Sequence, residues 1–267
     1  MFQRLRIILF LDIDGVLRVR KGPVPQEIVK ALRTLAQQHW VRIVPITGAP
    51  MHQLPPEILW PHLPLYRAFA ESGGVEHLYD GTPKPETTVA GEFQTLISHL
   101  EIDPQDGLLH IPALEKTIIC EGRRHTSFTA IMGETYPPYP NVVPTAAHHE
   151  VEAWLENIIR DHALPFLLLP GHERTYSYID VVHQHVDKAW RVGTVLGEVP
   201  HDLAFYIGDG TGDEAAMARS DIIPVALANS TPRIKRHGKE RGFVVEKEGP
   251  DGTYEFLTAL TDFLQQT

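Results

Sequence analysis

The chain has 267 residues, nearly twice the roughly 150 of a typical domain, so it can bury a substantial core without a disulfide or zinc staple. A composition of 43% hydrophobic and 22% charged residues excludes disorder, collagen and coiled coil as the main architecture, and the single cysteine, Cys120, excludes an intrachain disulfide or a cysteine-based metal cluster while fitting a reducing compartment. The formal charge of −10, from 24 basic and 34 acidic residues, argues against extended wrapping of nucleic acid or an anionic membrane surface, but leaves open a local basic pocket and carboxylate or imidazole metal sites.

Near the N-terminus Arg4 and Arg6 precede the apolar run Ile7 to Leu11, which Asp12 cuts after five residues. That is too short for a signal-peptide core, and it makes the cytoplasm the expected location. The same run reads as a buried parallel strand ending in the loop Asp12-Ile13-Asp14-Gly15. Ile28, Leu32 and Leu35 then recur at helical spacing, and Val41 to Ile46 forms the next strand, completing a βαβ unit. From about Thr82 to Ile179 the texture changes. Proline clusters such as Pro137-Pro138-Tyr139-Pro140 interrupt strand-like pieces at Thr117 to Cys120 and Ser127 to Met132, and one helix is expected from Glu150 to His162. Alternation then resumes, with a helix at Ala189 to Leu196, a strand at Leu203 to Ile207 and a helix at Asp213 to Arg219. Short strands follow at Ile222 to Ala226 and Gly242 to Val245, and a closing helix at Glu255 to Leu264. The pattern predicts an α/β fold, a doubly wound, mostly parallel sheet of residues 1–81 and 183–267, interrupted by an α+β insertion of residues 82–182.

In open parallel sheets functional residues collect beyond the carboxyl ends of the strands. Asp12 and Asp14 follow the first run, Thr47-Gly48 the second, and Gly208-Asp209-Gly210-Thr211-Gly212-Asp213 the run ending at Ile207; Lys188 sits immediately before the helix leading into that last strand. Each piece has an ordinary reading as a turn, a strand exit or a surface lysine. Their conjunction at consistent strand ends points to chemistry. Four carboxylates drawn together repel one another unless a cation neutralises them, and oxygen-only ligands suit Mg²⁺. With a lysine and a threonine hydroxyl beside it, such a site suits a phosphate monoester. Asp12 could then attack phosphorus, and Asp14 could protonate the leaving oxygen and later activate water. The loop at 208–213 lacks the third glycine of a dinucleotide fingerprint and places Asp209 where a pyrophosphate would approach, so a metal loop fits better.

These residues resemble the haloacid dehalogenase (HAD) superfamily. Leu11 to Leu17 is similar to its first motif, DxDGT/V; Thr47-Gly48 to its second; Lys188 to its third; and Gly208-Asp209 to Asp213 to its fourth, GDxxxD. The resemblance implies that Asp12 is nucleophile and Mg²⁺ ligand, and that Asp14 is acid/base and binds metal through its carbonyl. It further implies that Thr47, Gly48 and Lys188 hold the phosphoryl group and that Asp209 and Asp213 complete the metal site. An insertion between the second motif and Lys188 is where the family places type II caps. Glu71-Ser72-Gly73-Gly74, Tyr178-Ile179-Asp180-Val181 and Ala228-Asn229-Ser230 are similar to the IIB branch, which holds Cof-like sugar phosphatases and phosphomannomutases. Two positions depart from the pattern: Ala49 follows Thr47-Gly48 where TGR is usual, and Ser72 stands for the asparagine of ENG.

The implied activity is Mg²⁺-dependent hydrolysis of a small phosphorylated metabolite, a sugar phosphate, through an aspartyl-phosphate. A phosphomutase and a silent phospholigand-binding module are the alternatives. Arg123 and Arg124 in the insertion are candidates for contacting the leaving group. His183 and His185 would share a strand face without a third ligand, and Cys120 reads as a small core residue.

Overall fold

A computed structural model describes residues 5–19, 21–38, 40–100, 108–111, 116–120, 124–133, 147–172 and 176–266. Strand β1 (Ile7–Leu11) lies inside a five-stranded parallel sheet, with a neighbour on each side. Helix α1 (Gln26–Ala36) returns the chain to β2 (Val41–Pro45) on one side of it. On the other side lie β11 (Leu203–Gly208), β12 (Ile223–Ala226) and the edge strand β13 (Phe243–Val244). The chain thus winds outward from β1 in two directions, and the carboxyl end of β1 is the topological switch point where crevices form in such sheets.

Alternation along β1 explains the layers. Ile7, Leu9 and Leu11 point into a core shared with α1 and α7 (Gly249–Gln266), whereas Ile8 and Phe10 point into a second core with α4 (Lys188–Glu198), α5 (Glu214–Ala218) and α6 (Pro232–Arg241). All five β1 residues are buried, as expected of a strand covered on both faces. Helix α6 has only Ile234 and Gly238 buried, and its start is set by Thr231, whose hydroxyl accepts from Ile234 N at 3.3 Å, with Pro232 in the first turn.

Between the halves lie two further sheets. Three short antiparallel strands, β3 (Phe69–Ala70), β4 (Val75–His77) and β5 (Pro83–Pro85), adjoin the core through a bridge from Ile46 to Phe69. Beyond them β6 (Leu108–Ile111), β7 (Lys116–Cys120), β8 (Phe128–Gly133), β9 (Phe166–His172) and β10 (Tyr176–His183) form an antiparallel sheet in the order β6-β7-β8-β10-β9. Its helices, α2 (Thr87–Leu100) and α3 (His148–Asp161), share a separate apolar core with Phe128, Ala130, Met132, Ile179 and Val181. The inserted α+β unit therefore has its own interior. His183 closes β10, where Nε2 lies 2.6 Å from Glu92 Oε2, while His185 falls in the following turn, so the two histidines do not share a strand face.

Candidate active site

The parallel register sets Leu11 level with Pro45 and Ile207, so the residues just past these positions meet at one edge of the sheet. Asp12 N donates to Ile207 O at 3.0 Å and Ile46 N to Leu11 O at 2.8 Å, which carries Asp12, Thr47 and Asp209 onto adjacent strand ends. Lys188 arrives from behind as the first residue of α4, whose N-cap Asp187 accepts from Trp190 N at 2.7 Å. An ammonium at the positive end of a helix dipole is unfavourable for the helix. It is offset here by two carboxylates: Nζ donates to Asp213 Oδ1 at 2.7 Å and lies 2.9 Å from Asp12 Oδ1.

Asp12, Asp213, Lys188 and Thr47 are all buried. Asp213 is held from every side: Tyr206 Oη donates to its Oδ1 at 2.8 Å, and the backbone N–H groups of Asp209 and Gly210 donate to Oδ2 at 3.1 Å each. Asp12 is less satisfied. The Lys188 contact to Oδ1 is an ion pair not aligned as a hydrogen bond, and Oδ1 accepts no other among the described residues.

One ligand atom each from Asp12, Asp209 and Asp213 lies within 4.8 Å of the others. Burial first, then the neighbouring Asp213, pushes Asp12 up to about 7 despite Lys188. Burial, then Asp12 and Asp213, pushes Asp209 up to about 8. Burial works against the Lys188 charge, but Asp12 and Asp213 outweigh it and raise its pKa. Burial, then Asp213, holds the Tyr206 phenol well above its usual range. Three carboxylates facing one ammonium leave an excess of negative charge in a low-dielectric site. That excess charge and the hard-oxygen donor set fit a divalent cation such as Mg²⁺.

The sheet edge is also shaped for close approach. Gly15 has φ +80°, and a side chain there would collide with the Asp209 carboxylate; Gly208 gives the same clearance to Asp213. Asn229, not foreseen as a site residue although its segment stood out in the sequence, donates from Nδ2 to Asp209 Oδ2 at 2.8 Å and to Gly15 O at 3.0 Å. It fixes the Asp209 carboxylate from outside the cluster.

Asp14 stands apart from the other three aspartates. Half-buried, it takes Arg18 Nε on Oδ1 at 2.7 Å and Arg18 Nη2 on Oδ2 at 3.1 Å, a two-pronged pair with a buried guanidinium. Arg124 lies at the approach to β8 and reaches back to the core, donating from Nη1 to Gly48 O at 2.8 Å. Arg123 lies outside the described residues. Strand β9 runs beside the turn Thr211–Asp213, so the inserted sheet borders the crevice.

A parallel core with its switch point at β1, an inserted α+β unit after β2 and aspartates at the strand ends together define the HAD fold, in its Cof-like form. Solved structures agree. A haloacid dehalogenase-like hydrolase from Bacteroides thetaiotaomicron superposes with a TM-score of 0.63 at 16% identity, covering 95% of this chain and 98% of the other. The C-terminal domain of C. albicans trehalose-6-phosphate phosphatase gives 0.63 at 14%, covering 97% and 93%. The Aspergillus fumigatus trehalose-6-phosphate phosphatase gives 0.60 at 15%, with the same coverage of 97% and 93%. No protein-family model and no curated protein matches the sequence. No described helix is long and apolar enough to cross a membrane.

Proposed function

We propose that this protein is a Mg²⁺-dependent phosphatase that hydrolyses a small phosphorylated metabolite, a sugar phosphate, in the cytoplasm. In this reading residues 1–81 and 183–267 are the catalytic core, and 82–182 a cap that screens the reaction from water. The observation that carries it is the buried set of Asp12, Lys188, Asp209 and Asp213 at the carboxyl end of β1, beside Thr47. The solved phosphatases with this fold, two of them named for trehalose 6-phosphate, support the reaction class and the sugar. The lone cysteine suits a reducing compartment.

Asp12 Oδ forms a bond to phosphorus as the bond from phosphorus to the ester oxygen breaks, and Asp14 gives the departing oxygen its proton. Water then attacks the aspartyl-phosphate, Asp14 takes a proton from it, and orthophosphate leaves with Asp12 regenerated. Thr47, Gly48 and Lys188 bind the phosphoryl oxygens. Asp12, Asp209, Asp213 and the Asp14 carbonyl would hold Mg²⁺, which when bound supplies the positive charge that keeps the carboxylates ionised and offsets charge on the phosphoryl group. To reach the leaving oxygen, Asp14 gives up at least one of its two Arg18 hydrogen bonds.

The test is phosphate release from a panel of sugar phosphates, nucleotides and phosphorylated cofactors, with and without Mg²⁺. Metal-dependent release is expected, and Asp12→Asn should lower it by roughly three orders of magnitude or more without unfolding the chain. Undiminished turnover in that variant sinks the nucleophile. Isomerised hexose phosphate without free phosphate replaces the hydrolase by a mutase. Inertness toward the whole panel leaves a phospholigand-binding module.

A further inference from the structure

Three successive carbonyls after β2 are held by groups outside their own loop. Thr47 O accepts Ser72 N at 2.8 Å and Ala49 O accepts Glu71 N at 3.0 Å, both donors belonging to the turn after β3. Between them, Gly48 O accepts Arg124 Nη1 from the inserted unit. Arg124 is itself braced, with Nη1 also 3.2 Å from Ser127 Oγ and Nη2 donating to Thr129 Oγ1 at 2.8 Å; Thr129 Oγ1 donates in turn to Asp180 Oδ1 at 2.5 Å. The next two residues are tied to the core by one buried carboxylate. Glu71 Oε2 accepts His125 N at 2.8 Å, Thr126 N at 2.7 Å and Thr126 Oγ1 at 3.0 Å. The guanidinium is therefore placed jointly by core and cap.

A peptide unit is planar and trans, so a carbonyl and the following N–H point in opposite directions. Anchoring Gly48 O therefore sets the direction of Ala49 N–H, which donates to Thr47 Oγ1 at 3.1 Å. A hydroxyl oxygen that accepts this bond keeps its own proton for another acceptor. Thr47 stands beside Asp12, where a phosphoryl oxygen would lie.

We propose that Arg124 is a positioning residue for the phosphoryl group: through the Gly48–Ala49 peptide it orients the Thr47 hydroxyl, so the phosphate-binding loop is fully formed only with the cap docked. This rests on the phosphatase reading for its ligand, and it replaces the leaving-group contact expected from sequence. Cap closure and phosphate grip become one event, which favours transfer when water is already screened out.

The experiment measures orthophosphate affinity by calorimetry in Mg²⁺, and kcat/KM for an aryl phosphate and a hexose phosphate, in wild type, Arg124→Gln, Arg124→Lys and Thr129→Val. Arg124→Gln should weaken orthophosphate binding about tenfold and lower kcat/KM by a similar factor for both esters, because the disturbed contact faces the group they share. Arg124→Lys should recover part of the loss through its remaining donor. Thr129→Val, which removes a brace, should give a smaller loss of the same kind, and these two variants suffice if Arg124→Gln does not fold. Unchanged orthophosphate affinity with a loss confined to the hexose phosphate overturns the proposal and makes Arg124 a leaving-group contact. A wild type that hydrolyses neither ester, but whose orthophosphate affinity still falls in Arg124→Gln, removes the phosphatase reading and leaves the coupling standing.

Discussion

Across the crevice the core and the cap use charge in opposite ways. In the core, the charges of Asp12, Lys188 and Asp213 are buried and set against one another, and Asp209 is drawn into the same field. In the cap, Arg124 spreads its donors, giving them to the Gly48 carbonyl and to the hydroxyls of Ser127 and Thr129. A mutually neutralising cluster behaves as a unit, because removing one member strands the rest in low dielectric. A cation whose donors are spread over several separate acceptors loses one modest bond at a time. Truncations should therefore be catastrophic and non-additive on the core side, and graded on the cap side.

The largest expected effect is at Lys188. Lys188→Met leaves Asp12 and Asp213 buried without their counter-ion, so turnover should fall by roughly three orders of magnitude. Stability without divalent cation should fall by about 3–5 kcal/mol in denaturant titrations, the usual cost of breaking a buried pair from one side. Adding Asp213→Asn should restore part of that stability and none of the turnover. Simple additivity of the two losses would break the description of the core as a unit.

Next comes pH. Asp12 and Asp209 titrate near 7 and 8 in the folded metal-free chain but near their ordinary 3.8 once unfolded. Between these values the folded state holds protons that the unfolded state has released, so this contribution is full below about pH 4 and is lost as pH rises through 7 and 8. The metal-free thermal midpoint should fall over that window. Mg²⁺ binds the ionised carboxylates, so the gap between midpoints with and without it should widen from about pH 5.5 to about pH 8.5. A constant gap would show that the cation binds elsewhere.

A smaller effect is expected one layer out. Asn229→Ala removes the amide that fixes Asp209 and ties it to Gly15, together with the acceptor of Gly249 N at the start of α7, and should weaken Mg²⁺ binding by about 10–100-fold, measured calorimetrically, with a loss of about 1 kcal/mol in metal-free stability.

The same contrast governs what could be read from sequence. Core strands covered on both faces are continuous apolar runs, and the chemistry follows directly at their ends, so Ile7 to Leu11 pointed to Asp12, and Leu203 to Ile207 to Asp209 and Asp213. Helix α6 escaped because its buried face is only Ile234 and Gly238, although Thr231-Pro232 is an N-terminal signal. Helix α7 begins at Gly249-Pro250, well before the expected start at Glu255, because glycine and proline at a first turn carry no apolar periodicity. In the cap, α2 carries Val89, Phe93, Leu96 and Leu100 at helical spacing, a stripe hidden by the broken texture around it. Periodicity places a side chain on a face. It does not reveal that Arg124 turns back to Gly48, nor that Arg18 takes both oxygens of Asp14, because such pairings depend on how separate elements dock.

The smallest prediction concerns the turn that joins the two regions. Glu71 and Ser72 have φ of 51° and 57°, left-handed conformations that cost a side chain free energy except at glycine, asparagine and aspartate. Glu71 keeps its conformation because its carboxylate gathers the cap N–H groups and its own N–H holds Ala49. Among the described residues, Ser72 contributes chiefly its backbone N–H to Thr47 O, which any residue supplies. The asparagine usual in the ENG motif therefore has a physical reason: it tolerates the left-handed backbone while keeping that bond. Ser72→Asn should raise stability by about 0.5–1 kcal/mol in denaturant titrations, leaving kcat/KM for an aryl phosphate unchanged. A loss of stability instead would mean that the Ser72 hydroxyl, close to Gly48 in the loop after β2, holds that loop itself, and the core would then reach further into this turn than the backbone contacts indicate.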